Sequence, residues 1–154
     1  MKQETVKHKK RVNIISLKVI KESSVLYEGR KLSSPEAARK LLMPFFDGMD
    51  REKFLAIYLN VKNEPNAIHT VSIGSLNSSI VHPREVYKGA LMSNAASVIF
   101  AHNHPSGNPE PSQNDKNMTK RLIEAGEILG ITTIDHLIIG GDEEYFSFKE
   151  HQLI

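Results

Sequence analysis

The 154-residue chain contains no cysteine and no long apolar run. Without cysteine, neither a disulfide framework nor a thiolate metal site can form, which agrees with a reducing cytosol. No apolar run approaches the roughly 18 residues that a membrane span needs, and no signal-peptide core follows the basic start. We therefore expect a cytoplasmic protein without a membrane partner.

An excess of positive charge is confined to the first residues of the chain. Residues 1–11 hold five basic residues against the single acid Glu4, whereas the remainder holds 15 basic and 17 acidic residues, a net charge of −2. The folded body is therefore not a basic nucleic-acid binder, although the tail could contact nucleic acid or another anionic partner. A solvated, frayed terminus is the simpler explanation of the same basic residues.

The pattern of apolar residues predicts one α/β domain. Runs rich in β-branched and apolar residues predict strands over residues 12–20, 54–61, 69–76, 96–102, 136–141 and 145–148. Helical spacing and start signals predict helices from residue 33 through residue 46, from 83 to 93 and from 112 to 129. Helices interleaved with strands around one sheet predict an α/β sandwich.

Two prolines should shape the first helix. Ser33 and Glu36 have the spacing of a capping box, with Pro35 early in the first turn. Pro44 lies inside the same segment and should disturb the helix there.

The stretch FAHNHPSGNPEPSQND, residues 100–115, has the composition of a site rather than of a core. Residues i and i+2 of a strand point the same way, so His102 and His104 form a pair of nitrogen ligands at a strand end. Asp115 follows in the first turn of a helix and supplies a third ligand. Two neutral histidines and one carboxylate suit Zn²⁺ and leave a fourth position open for water, which is typical of a hydrolytic site.

A simpler interpretation of the same residues remains open. Ser112 and Asp115 have capping-box spacing, and this pair can start a helix without any metal. The two roles are also compatible, because Ser112 can cap the helix while Asp115 faces an ion.

The pattern H-x-H-x₁₀-D, formed by His102, His104 and Asp115, resembles the JAMM signature of JAB/MPN metalloproteases. The flanking segments VHPRE, AHNHPSG, PS and DH, at residues 81–85, 101–107, 111–112 and 135–136, are similar to the RadC branch of that family. The resemblance implies an MPN/JAB-like (cytidine-deaminase-like) mixed sheet sandwiched by helices. It would cover residues 33–154, with residues 1–32 as a basic tail and an N-terminal strand.

The resemblance also implies roles for individual residues. One Zn²⁺ per chain would be held by His102, His104 and Asp115, and Ser112 would donate a hydrogen bond to the oxyanion of the tetrahedral intermediate. A glutamate would act as general base. Glu52 matches its position, and Glu85, which also suits the first turn of a helix, is the rival.

These residues predict a zinc-dependent hydrolase of peptide or isopeptide bonds, acting on a peptide or protein that the sequence does not name. A non-catalytic DNA-repair or mobile-element module that keeps zinc for stability is the alternative. Longer members of the branch carry an N-terminal helical extension suggestive of DNA contact, whereas this chain offers a basic tail and one strand. The oligomeric state is not predicted.

Overall fold

The computed structural model describes residues 9–74, 81–141 and 143–154. In these ranges the elements are α1 (Pro35–Phe46), β1 (Lys53–Leu59), β2 (Pro65–Ile73), α2 (Pro83–Met92), β3 (Ser97–Asn103), α3 (Gln113–Leu129), β4 (Thr132–Ile139) and β5 (Tyr145–Ser147). Within the same ranges, no helix combines the length and the apolar character that crossing a membrane requires.

The five strands form one mixed sheet in the order β2-β1-β3-β4-β5. Strands β3 and β4 are parallel, and the other neighbouring pairs are antiparallel. All seven residues of β3 are buried, as expected for a central strand covered on both faces. The prediction of an α/β sandwich with a mixed sheet is confirmed.

Alternation along the strands gives each face of the sheet its own core. Helix α1 packs on the face that carries Leu55 and Ile57 of β1, together with Ile99 of β3. Helices α2 and α3 cover the opposite face, which carries Phe54 and Phe100. Because His102 follows Phe100 by two residues, its side chain lies on the α3 face, and this register brings it towards Asp115.

Helix α1 differs in detail from the prediction. Its N-cap is Ser34 rather than Ser33, and the Ser34 side chain accepts a hydrogen bond from the N–H of Ala37. Pro35 is then the first helical residue, where its missing N–H has no consequence. The helix continues past Pro44 to Phe46. Its last turn is packed against the sheet through Phe46, and this packing outweighs the disturbance from the proline.

The strand predicted over residues 12–20 is absent from the structure, where these residues are exposed and belong to no sheet. Their apolar, β-branched composition favours a strand, but a strand also requires a pairing partner. Strand β2 begins at Pro65, earlier than predicted, and the end of the predicted 69–76 strand lies outside the described residues. Strand β4 likewise begins earlier, at Thr132, because it pairs with the whole of β3.

Candidate metal centre

The paired histidines leave the end of β3 on one side of the chain, as the sequence predicts. His102 is the last but one residue of β3 and is paired with Phe54 of β1 and Ile138 of β4. The N–H of His104 donates to the carbonyl of Ile139, so the pairing with β4 continues one residue beyond the end of β3. His102 is fully buried, and the side chain of His104 is 14% exposed.

Asp115 reaches the same point from the first turn of α3. Ser112 is the N-cap of this helix, and its Oγ accepts from the N–H of Asp115 at 3.1 Å. In return, Asp115 Oδ2 accepts from the N–H of Ser112 at 2.8 Å, so the capping box is complete. The cap fixes the carboxylate of Asp115 against both histidines, so the capping role is compatible with the predicted ligand role.

The three side chains present a compact triangle of ligand atoms. His102 Nε2 lies 3.1 Å from His104 Nε2, and each nitrogen lies 3.3 Å from an oxygen of Asp115. A tetrahedral ion with ligand bonds of about 2.0–2.1 Å sets neighbouring ligand atoms about 3.3 Å apart. Each of the three separations is close to the edge of such a tetrahedron, and the two nitrogen–oxygen distances are made to different oxygens of Asp115, Oδ1 for His102 and Oδ2 for His104. In the described part of the chain, this is the one group of three such side chains that could hold a metal ion.

The hydrogen-bond partner of His104 determines which of its nitrogens is bare. His104 Nδ1 lies 2.8 Å from the carbonyl oxygen of Asn108. A carbonyl only accepts, so Nδ1 carries the proton. In the neutral imidazole the lone pair is then on Nε2, the atom that faces Asp115 and His102.

A buried series of hydrogen bonds through Thr119 and His136 determines which nitrogen of His102 is bare. The hydroxyl of Thr119 donates its single proton to the carbonyl of Asp115 at 2.7 Å, so it can only accept from His136 Nδ1, at 2.6 Å. His136 Nε2 is therefore the bare nitrogen, and it accepts from His102 Nδ1 at 2.8 Å. As a result, neutral His102 also directs its Nε2 lone pair into the triangle.

His136 has surroundings that keep it neutral and fixed. It is fully buried, stacked on Phe148 at 4.9 Å between ring centroids, with Phe54 and Phe100 presenting edge contacts at 5.6 and 6.0 Å. Burial, reinforced by nearby His102, lowers its pKa well below the ordinary value of histidine. An imidazole held in this way acts as an acceptor that orients its neighbour.

The charges at the triangle favour an ionised carboxylate. Burial alone would raise the pKa of Asp115, but His102 and His104, which donate to its carboxylate whenever their Nε2 atoms carry protons, together hold it well below its ordinary value. The hydrogen bond with Asp115 raises the pKa of His104, and the carboxylate of Glu52 adds a smaller effect of the same sign. The centre is therefore an anionic environment that stabilises a bound cation.

Glu52 and Ser112 face the triangle across an open cleft. The cleft has a volume of about 270 Å³ and is lined by Glu52, His104, Pro105, Ser106, Ser112, Asn114 and Asp115. Since the Oγ of Ser112 already accepts from the helix, its hydroxyl proton remains to donate into the cleft. Glu85, the rival to Glu52, is instead in the first turn of α2, where it pairs with Lys88 at 2.8 Å. It does not line the cleft.

Asn103, the last residue of β3, holds the backbone on both sides of Glu52. Its side-chain oxygen accepts from the N–H of Lys53 at 2.8 Å, and its Nδ2 donates to the carbonyl of Arg51 at 3.1 Å. The carbonyl of Glu52 also accepts from the N–H of Gly74. Glu52 is therefore held at the entrance to β1, directly across from the end of β3.

Sequence reasoning also missed the role of Thr119 and left that of His136 open. Thr119 follows Asp115 by four residues, so helical spacing places both on one face of α3, and this signal was available. The role of His136 depends on the parallel register of β3 and β4, which pairs it with Phe100. A single sequence does not contain that register.

With this geometry established, comparison with known proteins assigns the family. Residues 32–153 match the RadC-like JAB domain. The chain belongs to the RadC-like JAB domain family, and the resemblance seen in its motifs is confirmed.

Relatives named UPF0758 proteins show the same relationship over most of the chain. One from Desulforamulus reducens is 48% identical over 149 residues, which covers 90% of this chain and 65% of the relative. One from Methanosarcina mazei is 50% identical over 125 residues, with 81% of this chain and 54% of the relative covered. One from Shouchella clausii is 55% identical over 119 residues, covering 77% and 51%. The chain thus spans about half to two thirds of the length of these relatives.

Proposed function

We propose that the chain is a zinc-dependent metallopeptidase-type hydrolase that cleaves a peptide or isopeptide bond. The observation that carries the proposal is the triangle of His102, His104 and Asp115. Its two Nε2 atoms lie 3.1 Å apart and 3.3 Å from separate oxygens of one carboxylate, and in the neutral imidazoles both Nε2 lone pairs point into it. Two lone pairs 3.1 Å apart repel each other unless a cation or a proton lies between them, so the arrangement favours a bound cation.

The ligand types favour zinc among the common divalent metals. Imidazole nitrogens suit zinc, copper, iron and nickel, whereas magnesium and calcium prefer sites built from oxygen alone. Three protein ligands beside an open cleft are also typical of catalytic zinc, since structural zinc has four protein ligands. When bound, zinc lowers the pKa of a coordinated water to about 7 and polarises the scissile carbonyl.

The residues of the chain would then divide the remaining work. The carboxylate of Glu52 takes a proton from the attacking water and returns it to the leaving nitrogen, so that a neutral amine leaves instead of an amide anion. The hydroxyl of Ser112 donates a hydrogen bond to the oxygen that becomes negative during the attack. His136, Thr119 and the carbonyl of Asn108 keep both histidines in the tautomer that the reaction needs.

A pair of isosteric variants tests this assignment. The zinc-loaded chain is incubated with a fluorescence-quenched peptide library, and the wild type is compared with Glu52→Gln and Glu85→Gln. We expect Glu52→Gln to slow hydrolysis by about 10²–10⁴-fold, the usual contribution of a general base. Glu85→Gln is the matched control and should retain activity, because Glu85 lies outside the cleft. Loss of activity in Glu85→Gln alone, or no hydrolysis by a wild type that holds zinc, would contradict the proposal.

We also propose the cytoplasm as the compartment, because a chain without cysteine needs no oxidising environment.

A further inference from the structure

The N-terminal arm, residues 9–31, exposes an apolar surface outside the packed domain. Within residues 12–20, six apolar side chains are between 53% and 100% exposed, namely Val12, Ile14, Ile15, Leu17, Val19 and Ile20. No backbone hydrogen bond joins residues 9–26 to another described residue. A cluster of exposed apolar side chains of this size marks an interaction surface.

Strand β2 offers a complementary edge. It is the first strand of the sheet and is paired on one side only, with β1. Its other side presents a row of backbone N–H and C=O groups that pair with no described strand, over nine residues. Exposed edges of this kind are templates for pairing with another chain. Thr70 and Ile73 are among the exposed residues of β2.

The arm leaves the domain beside this same edge. The N–H of Leu32 donates to the carbonyl of Asn63, which fixes the base of the arm at the turn before β2. In a two-fold assembly with β2 edges near the axis, each arm is therefore next to the β2 edge of the other copy.

Charge favours contact between an arm and another domain. Residues 1–31 contain nine basic and three acidic residues, a net charge of +6. Residues 32–154 contain eleven basic and fifteen acidic residues, a net charge of −4. Opposite net charges steer the two surfaces together, whereas two domains without arms would repel each other.

We propose that the chain forms a two-fold dimer in which residues 12–20 of each copy add a strand to the β2 edge of the other. Nine residues of extended chain span about 30 Å, so the arm segment and the nine residues of β2 match in length. Residues 12–20 belong to no described strand, the base of the arm lies at the turn before β2, and the β2 edge of a second copy offers a backbone partner. Reciprocal exchange satisfies the edges of both sheets and leaves no open end for further assembly.

Because the chain lacks cysteine, site-directed crosslinking tests the pairing directly. Cysteine is introduced singly at residues 14 to 18, and each variant is mixed under mild oxidation with Thr70→Cys. We expect a disulfide-linked pair containing one copy of each variant, with a strong preference for one register. Ile128→Cys is the control, because Ile128 is 87% exposed on α3, away from β2. Equal crosslinking to Ile128→Cys would overturn the proposal.

Light scattering gives a second, independent measurement. The full chain should have twice its mass of 17.3 kDa. Leu17→Pro removes a backbone donor and should weaken association at least about tenfold, whereas Leu26→Pro, outside the pairing segment, should not. Residues 9–26 make no backbone hydrogen bond to another described residue, so neither proline removes a backbone bond of the described structure. A mass of one chain for the wild type would overturn the proposal, and salt-dependent retention of that monomer on duplex DNA would assign the arm to nucleic acid instead.

Discussion

The metal centre and the N-terminal arm contrast in where their interactions are made. At the centre, buried polar side chains from β3, α3 and β4 bond to one another, and each histidine has a defined partner for its Nδ1 atom. In the arm, apolar side chains are exposed and the backbone from residue 9 to residue 26 bonds to no described residue. One region is organised within the domain, and the other has no backbone partner among the described residues.

The difference shows what determines local structure in this chain. The arm has stronger β-forming composition than the end of β3. Of these two segments, however, β3 is the one with neighbouring strands on both sides. Strand formation follows the availability of a partner as well as propensity. The centre acquires its order from the elements around it, and variants there should change metal binding or stability far more than variants in the arm.

The largest effect is expected for Asp115→Asn. An amide oxygen still accepts from the N–H of Ser112, so the helix cap is kept while the anionic ligand is lost. Zinc-finger peptides bind zinc through four ligands with a free energy of about 10–16 kcal/mol, or roughly 3 kcal/mol per ligand. Loss of one ligand should therefore lower the zinc affinity more than about a hundredfold. Competition with a chelating dye measures this loss. Ser112→Ala is the control and should lower stability by about 1 kcal/mol while keeping the affinity. Equal zinc affinity in Asp115→Asn and the wild type would leave Asp115 with a capping role alone.

Asn103→Leu should have the next largest effect. It leaves the carbonyl of Arg51 and the N–H of Lys53 without their bonds, and each such partly buried hydrogen bond contributes about 0.5–1.5 kcal/mol. We expect the free energy of unfolding to fall by about 1–3 kcal/mol in a urea titration. The activity per zinc-loaded chain should fall as well, because Glu52 is no longer held across the cleft. Unchanged activity per loaded chain would show that Asn103 has a structural role only.

Thr119→Val should weaken zinc binding to a smaller extent. Without the hydroxyl, His136 Nδ1 loses its acceptor and His136 no longer fixes the tautomer of His102. Losing an outer hydrogen-bond partner of a metal ligand reduces affinity by about 10–100-fold. Thr119→Ser is the conservative control and should restore the affinity. If Thr119→Val and Thr119→Ser bind zinc equally, the orienting chain described for His102 is wrong.

The smallest effect is expected in the arm. Leu26 is fully exposed, whereas Leu32, six residues later, is 5% exposed and belongs to the core around α1. Leu26→Ser should change the free energy of unfolding by less than about 0.5 kcal/mol. Leu32→Ser, measured beside it in urea, should destabilise the domain by about 2–5 kcal/mol. Comparable losses in both variants would mean that the arm packs against the domain.

Much of the centre could be predicted from the sequence because its signals are local. Alternation along a strand places His102 and His104 on one side, and capping spacing fixes Ser112 as the N-cap of α3, with Asp115 in the first turn. Asn103 and His136 act through contacts between strands that are distant in sequence, so no local pattern identifies them. The fold class followed from the order of apolar runs. Element ends were less well predicted, since packing extends α1 beyond Pro44 and pairing with β3 extends β4.

The structure of the arm could not be predicted from its sequence alone. Its composition predicts a strand, but composition does not say whether a partner strand lies in the same chain. The structure of one copy leaves residues 12–20 unpaired, and the strand prediction fails at that level for a physical reason.

Bound zinc per chain, measured after mild purification, tests the central claim most directly. The wild type and Glu52→Gln should each hold about one zinc, because Glu52 is not one of the three ligand residues. His104→Ala should hold almost none. A wild type that binds no zinc even when zinc is supplied, or a His104→Ala variant that keeps it, would contradict the account of this site.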